Sequence, residues 1–400
     1  MKKKILVTTS TFPRWSTDNE PRFVYDLCLK LKNNFDIIVL APHHEKSLKH
    51  EICNDIEVYR YQYFLKKYQT LTYEGGVLTR LKQKKVRFLL IPFFFIAQIL
   101  FIRKILKTEK IDLIHAHWII PQGICAVIVN KTLKKKVPII CTSHGGDLFA
   151  LRSSIFTALK RWVLNNSNKI TVVSSVMRDV LIEMGLAKEK ISIISMGVDL
   201  KGKFILNEKK ERRSKSIISV GRLVEKKGVK YLARAVANLK RRYSDINLIV
   251  VGDGPDKTLL ELEAKKLNIN NNIQFLGAKS QQELVTLYQS SLIAVFPFVI
   301  ASDGDQEGLG LVVIEAMGSG CATIVSDLPA TNDVVDDKIN ALFVKPEDVD
   351  DLTDKISYLI ENPHITNAFS KQGRLSVLEK YDWEVIANKY INLLNNVSVD

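Results

Sequence analysis

The stretch Asp303-Gly304-Asp305-Gln306-Glu307-Gly308-Leu309-Gly310-Leu311-Val312-Val313-Ile314-Glu315-Ala316-Met317-Gly318-Ser319-Gly320 opens as an acidic, glycine-rich loop and turns helical at about Leu311. Short apolar, β-branched runs at residues 293–296 and 323–326 flank it. Strand, loop, helix and strand in that order make one winding of a parallel α/β sheet. Carboxylates among small residues at a strand end suit a ligand better than a core. Glu307 falls in the loop beside the helix start, and Glu315 lies about two turns further on at ~3.6 residues per turn, so both can address one elongated ligand. The N–H groups of Gly308, Leu309 and Gly310, at the positive end of the helix dipole, suit a phosphate. Asp303-Gly304-Asp305 also admits a metal-binding reading. A hard cation would need further oxygen ligands, however, and the expectation is no metal.

Outward from this stretch the same winding repeats. Candidate strands run from residues 4–9 to 191–194 in the first half and from 216–220 to 341–344 in the second, with helices such as 229–240 and 256–267 between them. The reading is α/β with two Rossmann-like domains, residues 1–200 and 201–380, divided by the charged, aperiodic stretch 201–214. A tail helix from about residue 381 to 400 can pack back on either domain. Two such domains facing each other would bring both carboxyl sheet edges to one interdomain cleft, where ligands of open α/β sheets bind.

Charge is unevenly spread. Residues 1–180 carry 30 Lys and Arg against 13 Asp and Glu, and the remainder 28 against 30. Nucleic acid, an anionic membrane and solvated lysines are the readings of such a basic half. No nucleic-acid module or aromatic-basic interleaving is present, so nucleic acid is set aside. Five cysteines stand singly with no CxxC pair, against a disulfide framework or structural zinc and in keeping with a reducing cytoplasm. Met1-Lys2-Lys3-Lys4 precedes only a short apolar run, which reads as a buried first strand and not a signal peptide.

Residues 88–102 are almost wholly apolar, contain Pro92, and lie within the basic segment 80–107. At 15 residues the run is shorter than the about 20 that a span needs. It reads either as a helix in the plane of an anionic membrane or as a buried helix with solvated lysines at its ends.

Further motifs follow strands of the second half. Gly221-Arg222-Leu223-Val224-Glu225-Lys226-Lys227-Gly228 puts cations before a helix, a pattern suited to a diphosphate. Gly252-Asp253-Gly254-Pro255 is a sharp turn leading into a helix. Gly277 and Lys279 end another strand, where the backbone can face a nucleobase or simply turn. No GxGxxG fingerprint occurs, which sets aside a nicotinamide enzyme.

Together, Gly221 to Gly228, the Gly252 turn and Glu307 with Glu315 resemble the retaining GT-B glycosyltransferases of family 4 type, which include bacterial mannosyl-, glucosyl- and N-acetylglucosaminyltransferases. Phe12-Pro13-Arg14, Ile111-Asp112-Leu113-Ile114-His115-Ala116-His117-Trp118, Thr142-Ser143-His144-Gly145-Gly146-Asp147 and Gly197-Val198-Asp199 match that family's N-terminal landmarks in order. The resemblance implies a GT-B fold and transfer, with retention, from a UDP- or GDP-linked sugar to a lipid-linked or envelope saccharide acceptor. It implies that Arg222 and Lys227 hold the diphosphate, Glu307 the sugar hydroxyls and Glu315 the ribose, with His144 near the anomeric carbon. It also implies no metal or other cofactor and a cytoplasmic enzyme, peripheral on the inner face of the membrane. Fixed cations beside a leaving diphosphate lower the barrier of such a reaction.

One departure stands out. Many members carry a Gly-Gly loop after the first strand, whereas here the chain reads Thr9-Ser10-Thr11-Phe12-Pro13-Arg14 and, further on, Asp18-Asn19-Glu20-Pro21-Arg22. Arg14 and Arg22, with His117 and Asp147, are the acceptor-side candidates. Two rival functions share this architecture, a sugar-nucleotide epimerase and a non-catalytic sugar-nucleotide or membrane-binding protein.

Overall fold

A computed structural model describes residues 2–15, 18, 20–151, 153–207 and 212–398. Asn19 of the first loop, residues 208–211 of the expected boundary and residues 399–400 of the expected tail lie outside the described residues. The chain divides into two compact units. One comprises the chain up to Val173, Met177–Ile194 and the segment from Ala387 onward; the other comprises Ser174–Val176 and Ser195–Ile386.

The first unit holds strands β1 (Lys3–Thr8), β2 (Phe35–Pro42), β3 (His50–Cys53), β4 (Ile56–Tyr61), β5 (Leu113–His117), β6 (Ile139–Ser143), β7 (Lys169–Val172) and β8 (Ile191–Ile193). They form one sheet in the order β3-β4-β2-β1-β5-β6-β7-β8. Every pair is parallel except β3 with β4. That hairpin was not expected from the sequence. Its turn, Asn54-Asp55, has φ of 51° and 64° at its two residues, the left-handed pair that a tight hairpin requires. In the centre, Val7 pairs with Val39 on one side and His115 on the other. β1 and β2 are buried on both faces, which is why they read as continuous apolar runs without alternation.

The second unit holds β9 (Arg213–Val220), β10 (Asn247–Val251), β11 (Ile273–Phe275), β12 (Ser291–Phe296), β13 (Ala322–Ser326) and β14 (Leu342–Val344). Their order is β11-β10-β9-β12-β13-β14, all parallel. Leu232 and Val236 of the helix Val229–Leu239 pack with Ile217, Leu248, Ile293 and Ile324 in its core.

Each sheet reverses its strand order once, between β1 and β5 and between β9 and β12. Ligands of open parallel sheets bind outside the carboxyl ends of the strands at such reversals. The loops that leave those ends are residues 9–14 and 118–123 in one unit, and 221–228 and 297–310 in the other.

The tail helix expected from about residue 381 is present as Trp383–Asn396, and a helix that was not expected, Pro363–Tyr381, precedes it, the two broken at Asp382. The Asp382 carboxylate accepts from Leu200 N at 3.2 Å and Glu384 N at 3.0 Å, so the break is capped. The apolar run becomes a short 3₁₀ segment, Lys85–Leu90, followed by the helix Ile91–Thr108. Together they are long and apolar enough to cross a membrane by length and composition. One side is nevertheless buried in the unit through Phe94, Gln98, Ile102 and Ile105, with Phe94 against the rings of Tyr61 and Tyr63.

Candidate functional site

In the second unit the site grows from the β9–β12 reversal. Gly228 ends the loop after β9 with φ of 64°, and a Cβ there would stand 1.8 Å from the Pro297 carbonyl oxygen. Only glycine lets the two loops approach so closely. That approach sets Lys227 opposite Glu307, with Nζ 2.6 Å from Oε2, although 80 positions separate them in the chain. The Lys227 ammonium also lies 4.5 Å from the Phe298 ring centre. Burial raises the Glu307 carboxyl, but Lys227, Lys226 and the Gly308 N–H outweigh it, so the group sits below its ordinary pKa and is ionised at neutral pH.

Lys226 was not singled out from the sequence. Its ammonium holds the acidic loop, donating to Asp305 Oδ1 and to the Gln306 carbonyl, each at 3.1 Å. The Asp303 carboxylate accepts the Asp305 N–H at 3.0 Å, so this pair of acids is tied into the loop's own turn. Among the described residues no three His, Cys, Asp or Glu side chains converge as metal ligands.

Gly310 (φ 85°) caps the helix Leu311–Gly318, and Glu315 lies on that helix beside the Tyr288 hydroxyl. Burial pushes the Glu315 carboxyl up to about 7. The far end of the helix is held by two arginines that the sequence reading missed. Arg212 donates to the carbonyl of Ser319 at 2.7 Å, and Arg374 to those of Gly318, Phe204 and Leu200. Long cations at a helix C-terminus match both the open carbonyls and the dipole.

Arg222 lies at the start of the Lys227 loop. Gly277 belongs to the neighbouring turn, where its carbonyl accepts from Gly252 N at 2.9 Å and Asp253 accepts from Ala278 N at 2.8 Å. Lys279 pairs with Glu283 at 3.1 Å.

In the first unit the β1–β5 reversal carries a different set of groups. His117, at the end of β5, and His144, just after β6, are hydrogen-bonded Nδ1 to Nε2 at 3.0 Å with nearly parallel rings. His115 lies behind His117 with its ring tilted, centroids 4.2 Å apart, and bonds the Thr142 hydroxyl at 2.7 Å. Phe23 and Trp118 flank His144 at 4.9 and 4.8 Å. Burial drives His144 and His115 down to about 3 and His117 well below its ordinary value, so all three are neutral at pH 7.

Asp147 is buried, and both of its carboxylate oxygens are engaged. One accepts from Ile119 N at 2.7 Å, the other from Ser143 Oγ at 2.8 Å and His144 N at 3.2 Å. It therefore clamps the loop after β5 to the loop after β6. Arg14 is held bidentately by Asp18 at 2.7 and 2.8 Å and lies over the rings of Trp15 and Tyr73. Arg22, just before the helix Phe23–Leu31, faces Asp26 and the ring of Tyr25.

Two family descriptions divide this chain between them. Residues 21–201 match Glycosyltransferase Family 4, and residues 203–376 match Glycosyl transferases group 1. The chain belongs to glycosyltransferase family 4. Sucrose-phosphate synthase from Thermosynechococcus elongatus superposes on this family 4 enzyme with a TM-score of 0.79 at 19% identity, covering 98% of each chain. HepE from Anabaena, solved with UDP and glucose, superposes with a TM-score of 0.73 at 16% identity, covering 99% of this chain and 100% of that one. The glycosyltransferase thus has the GT-B fold. In sequence it is 27% identical over 328 residues to a Campylobacter jejuni relative, covering 76% of this chain and 82% of the relative. That relative is N,N'-diacetylbacillosaminyl-diphospho-undecaprenol alpha-1,3-N-acetylgalactosaminyltransferase.

Proposed function

We propose that this glycosyltransferase moves a sugar from a UDP- or GDP-linked donor, with retention at the anomeric carbon, to a lipid-linked or envelope saccharide acceptor. The observation that carries the donor half is the Lys227–Glu307 pair at the β9–β12 reversal, beside a helix start capped by Gly310. On this reading Lys227 and Arg222 receive the diphosphate, with the N–H groups of Gly308 to Gly310, while Glu307 accepts from sugar hydroxyls and Glu315 from the ribose. The C1–oxygen bond to the diphosphate breaks while an acceptor hydroxyl attacks the same face, and its proton passes to the departing diphosphate oxygen. Negative charge collects on the leaving group, where fixed cations act most strongly.

His144, neutral and flanked by aromatic rings, fits beside an uncharged sugar as a hydrogen-bonding partner and not as a second cation. Arg14, Arg22 and His117 are the acceptor-side groups, and Asp147 braces the loops that follow His117 and carry His144. The lipid-linked acceptor is supported by the diphospho-undecaprenol in the name of the Campylobacter relative. We read the reaction as running without a metal, with Arg222 and Lys227 supplying fixed positive charge, in an enzyme working at the cytoplasmic face of a membrane.

A thermal-shift screen of UDP- and GDP-sugars tests the donor. One of them should raise the unfolding midpoint, and no shift with any would overturn the assignment. Incubating that donor with extracted lipid acceptors should then yield an α-linked product from an α-donor by NMR. An inverted linkage would overturn retention.

A further inference from the structure

The helix Ile91–Thr108 presents two stripes. Phe94, Gln98, Ile102 and Ile105, at helical spacing, face the core. The opposite stripe runs through Leu89, Phe93, Ile96 and Leu100 and then changes to Arg103, Lys104 and Lys107. A water-facing stripe is ordinarily polar. Here Leu89, Phe93, Ile96 and Leu100, with Val86 and Phe88 before them, are 49–70% exposed. Leu65 and Tyr68 add to this surface, because Phe64 beside them meets Phe93 at 5.2 Å.

The surface is held firmly from behind. Arg87 is buried and donates to the Arg80 carbonyl at 2.6 Å, and Arg80 donates to the Thr70 carbonyl at 3.0 Å. A loose apolar segment would collapse onto its own domain; this one is fixed facing outward.

Charge selects what covers it. Residues 61–108 carry ten Lys and Arg and a single acid, Glu74, which is already paired with Arg80. A second copy of the chain would bring a like-charged rim against this one, which is unfavourable. We propose that this face docks on an anionic lipid bilayer, with the helix lying in the plane of the interface. Phe88, Leu89, Phe93 and Ile96 enter the acyl boundary, and Lys84, Lys85, Arg103, Lys104 and Lys107 meet the headgroups. The buried stripe keeps the helix on its domain, so it lies on the bilayer and does not cross it. The docking stands apart from the donor chemistry and does not depend on it.

The test is flotation of the full chain with vesicles of mixed phosphatidylglycerol and phosphatidylcholine, against vesicles of phosphatidylcholine alone. The protein floats with the acidic vesicles at low salt, not with the neutral ones, and salt releases it. Replacing Arg103, Lys104 and Lys107 with Gln lowers the partition coefficient about fivefold per cation. The triple variant Leu89→Ser, Phe93→Ser, Ile96→Ser, all at exposed positions, loses flotation with an unchanged unfolding midpoint. As a check independent of that variant's folding, the indole fluorescence added by Phe93→Trp should be quenched by brominated acyl chains. Wild-type protein left unbound by acidic vesicles at low salt, or a Phe93→Trp signal blind to brominated chains, overturns the proposal. So does a lipid-free dimer, seen by sedimentation velocity, that the serine variant dissolves.

Discussion

The two strand-order reversals of this molecule solve opposite electrostatic problems. At β9–β12 a lysine and a glutamate are brought together, and the nearby ammonium keeps the glutamate ionised in a partly buried place. At β1–β5 three histidine rings lie in contact, His115 and His117 buried and His144 half-buried, and none carries charge at neutral pH. Burial opposes ionisation in both places, and the outcome depends on whether an opposite charge stands within reach. The same winding therefore builds a charged cluster in one unit and a neutral, aromatic one in the other. On the proposed function, the charged cluster suits a diphosphate.

The largest expected effect comes from breaking the charged side. Lys227→Ala should lower turnover by about 10²–10³-fold, as loss of one preorganised group opposite developing charge does elsewhere. Donor turnover in the purified variant reads this directly, and wild-type rates would remove Lys227 from the mechanism. Glu307→Gln should also lose turnover while staying folded.

Next is the geometry that makes the pair. Gly228→Ala places a Cβ 1.8 Å from the Pro297 oxygen at positive φ. It should cost about 2–4 kcal/mol in urea unfolding. A variant as stable as wild type would mean that the loops can part without loss.

On the neutral side, the histidines' folded pKa values lie below the ordinary 6.5. For His115 and His144 the contribution to stability is therefore full above about pH 6.5 and is lost as pH falls toward 3. Each adds a slope of up to about 1.4 kcal/mol per pH unit across that window. His115→Asn should flatten the acid limb of the unfolding curve, and an unchanged limb would mean that His115 is already charged in the fold.

The smallest effect has the opposite sign. The Glu315 carboxyl is raised to about 7, so its folded form favours the proton, and stability declines as pH rises from about 4.5 through 7. Glu315→Gln should match wild type near pH 5 and exceed it by about 1–2 kcal/mol at pH 8. On the proposed role it should also weaken donor binding. A variant less stable at pH 8 would show that the carboxylate is stabilised there.

Much of the fold was legible because its signals are local. Buried parallel strands such as β1 and β12 are β-branched runs, and glycines mark the loops that leave them. Most strand ends fell within a residue or two of expectation. The antiparallel β3 escaped because it is short and half-exposed, although Asn54-Asp55 was a usable turn signal. The capped break at Asp382 escaped because it depends on Leu200, far away in the chain.

The site divides along the same line. Local sequence set which residues stand at strand ends, since chain order and periodicity are properties of neighbours. It put Glu307, Lys227 and His144 in the segments that follow strands and Glu315 on a helix, where the fold has them. Long-range packing made Lys227 meet Glu307 and Asp147 tie two loops together. It alone decided that Arg212 and Arg374 hold the helix behind Glu315, and that one apolar stripe of the helix Ile91–Thr108 faces outward. Those are contacts between distant segments, set by which strands lie side by side, and no local pattern encodes that adjacency.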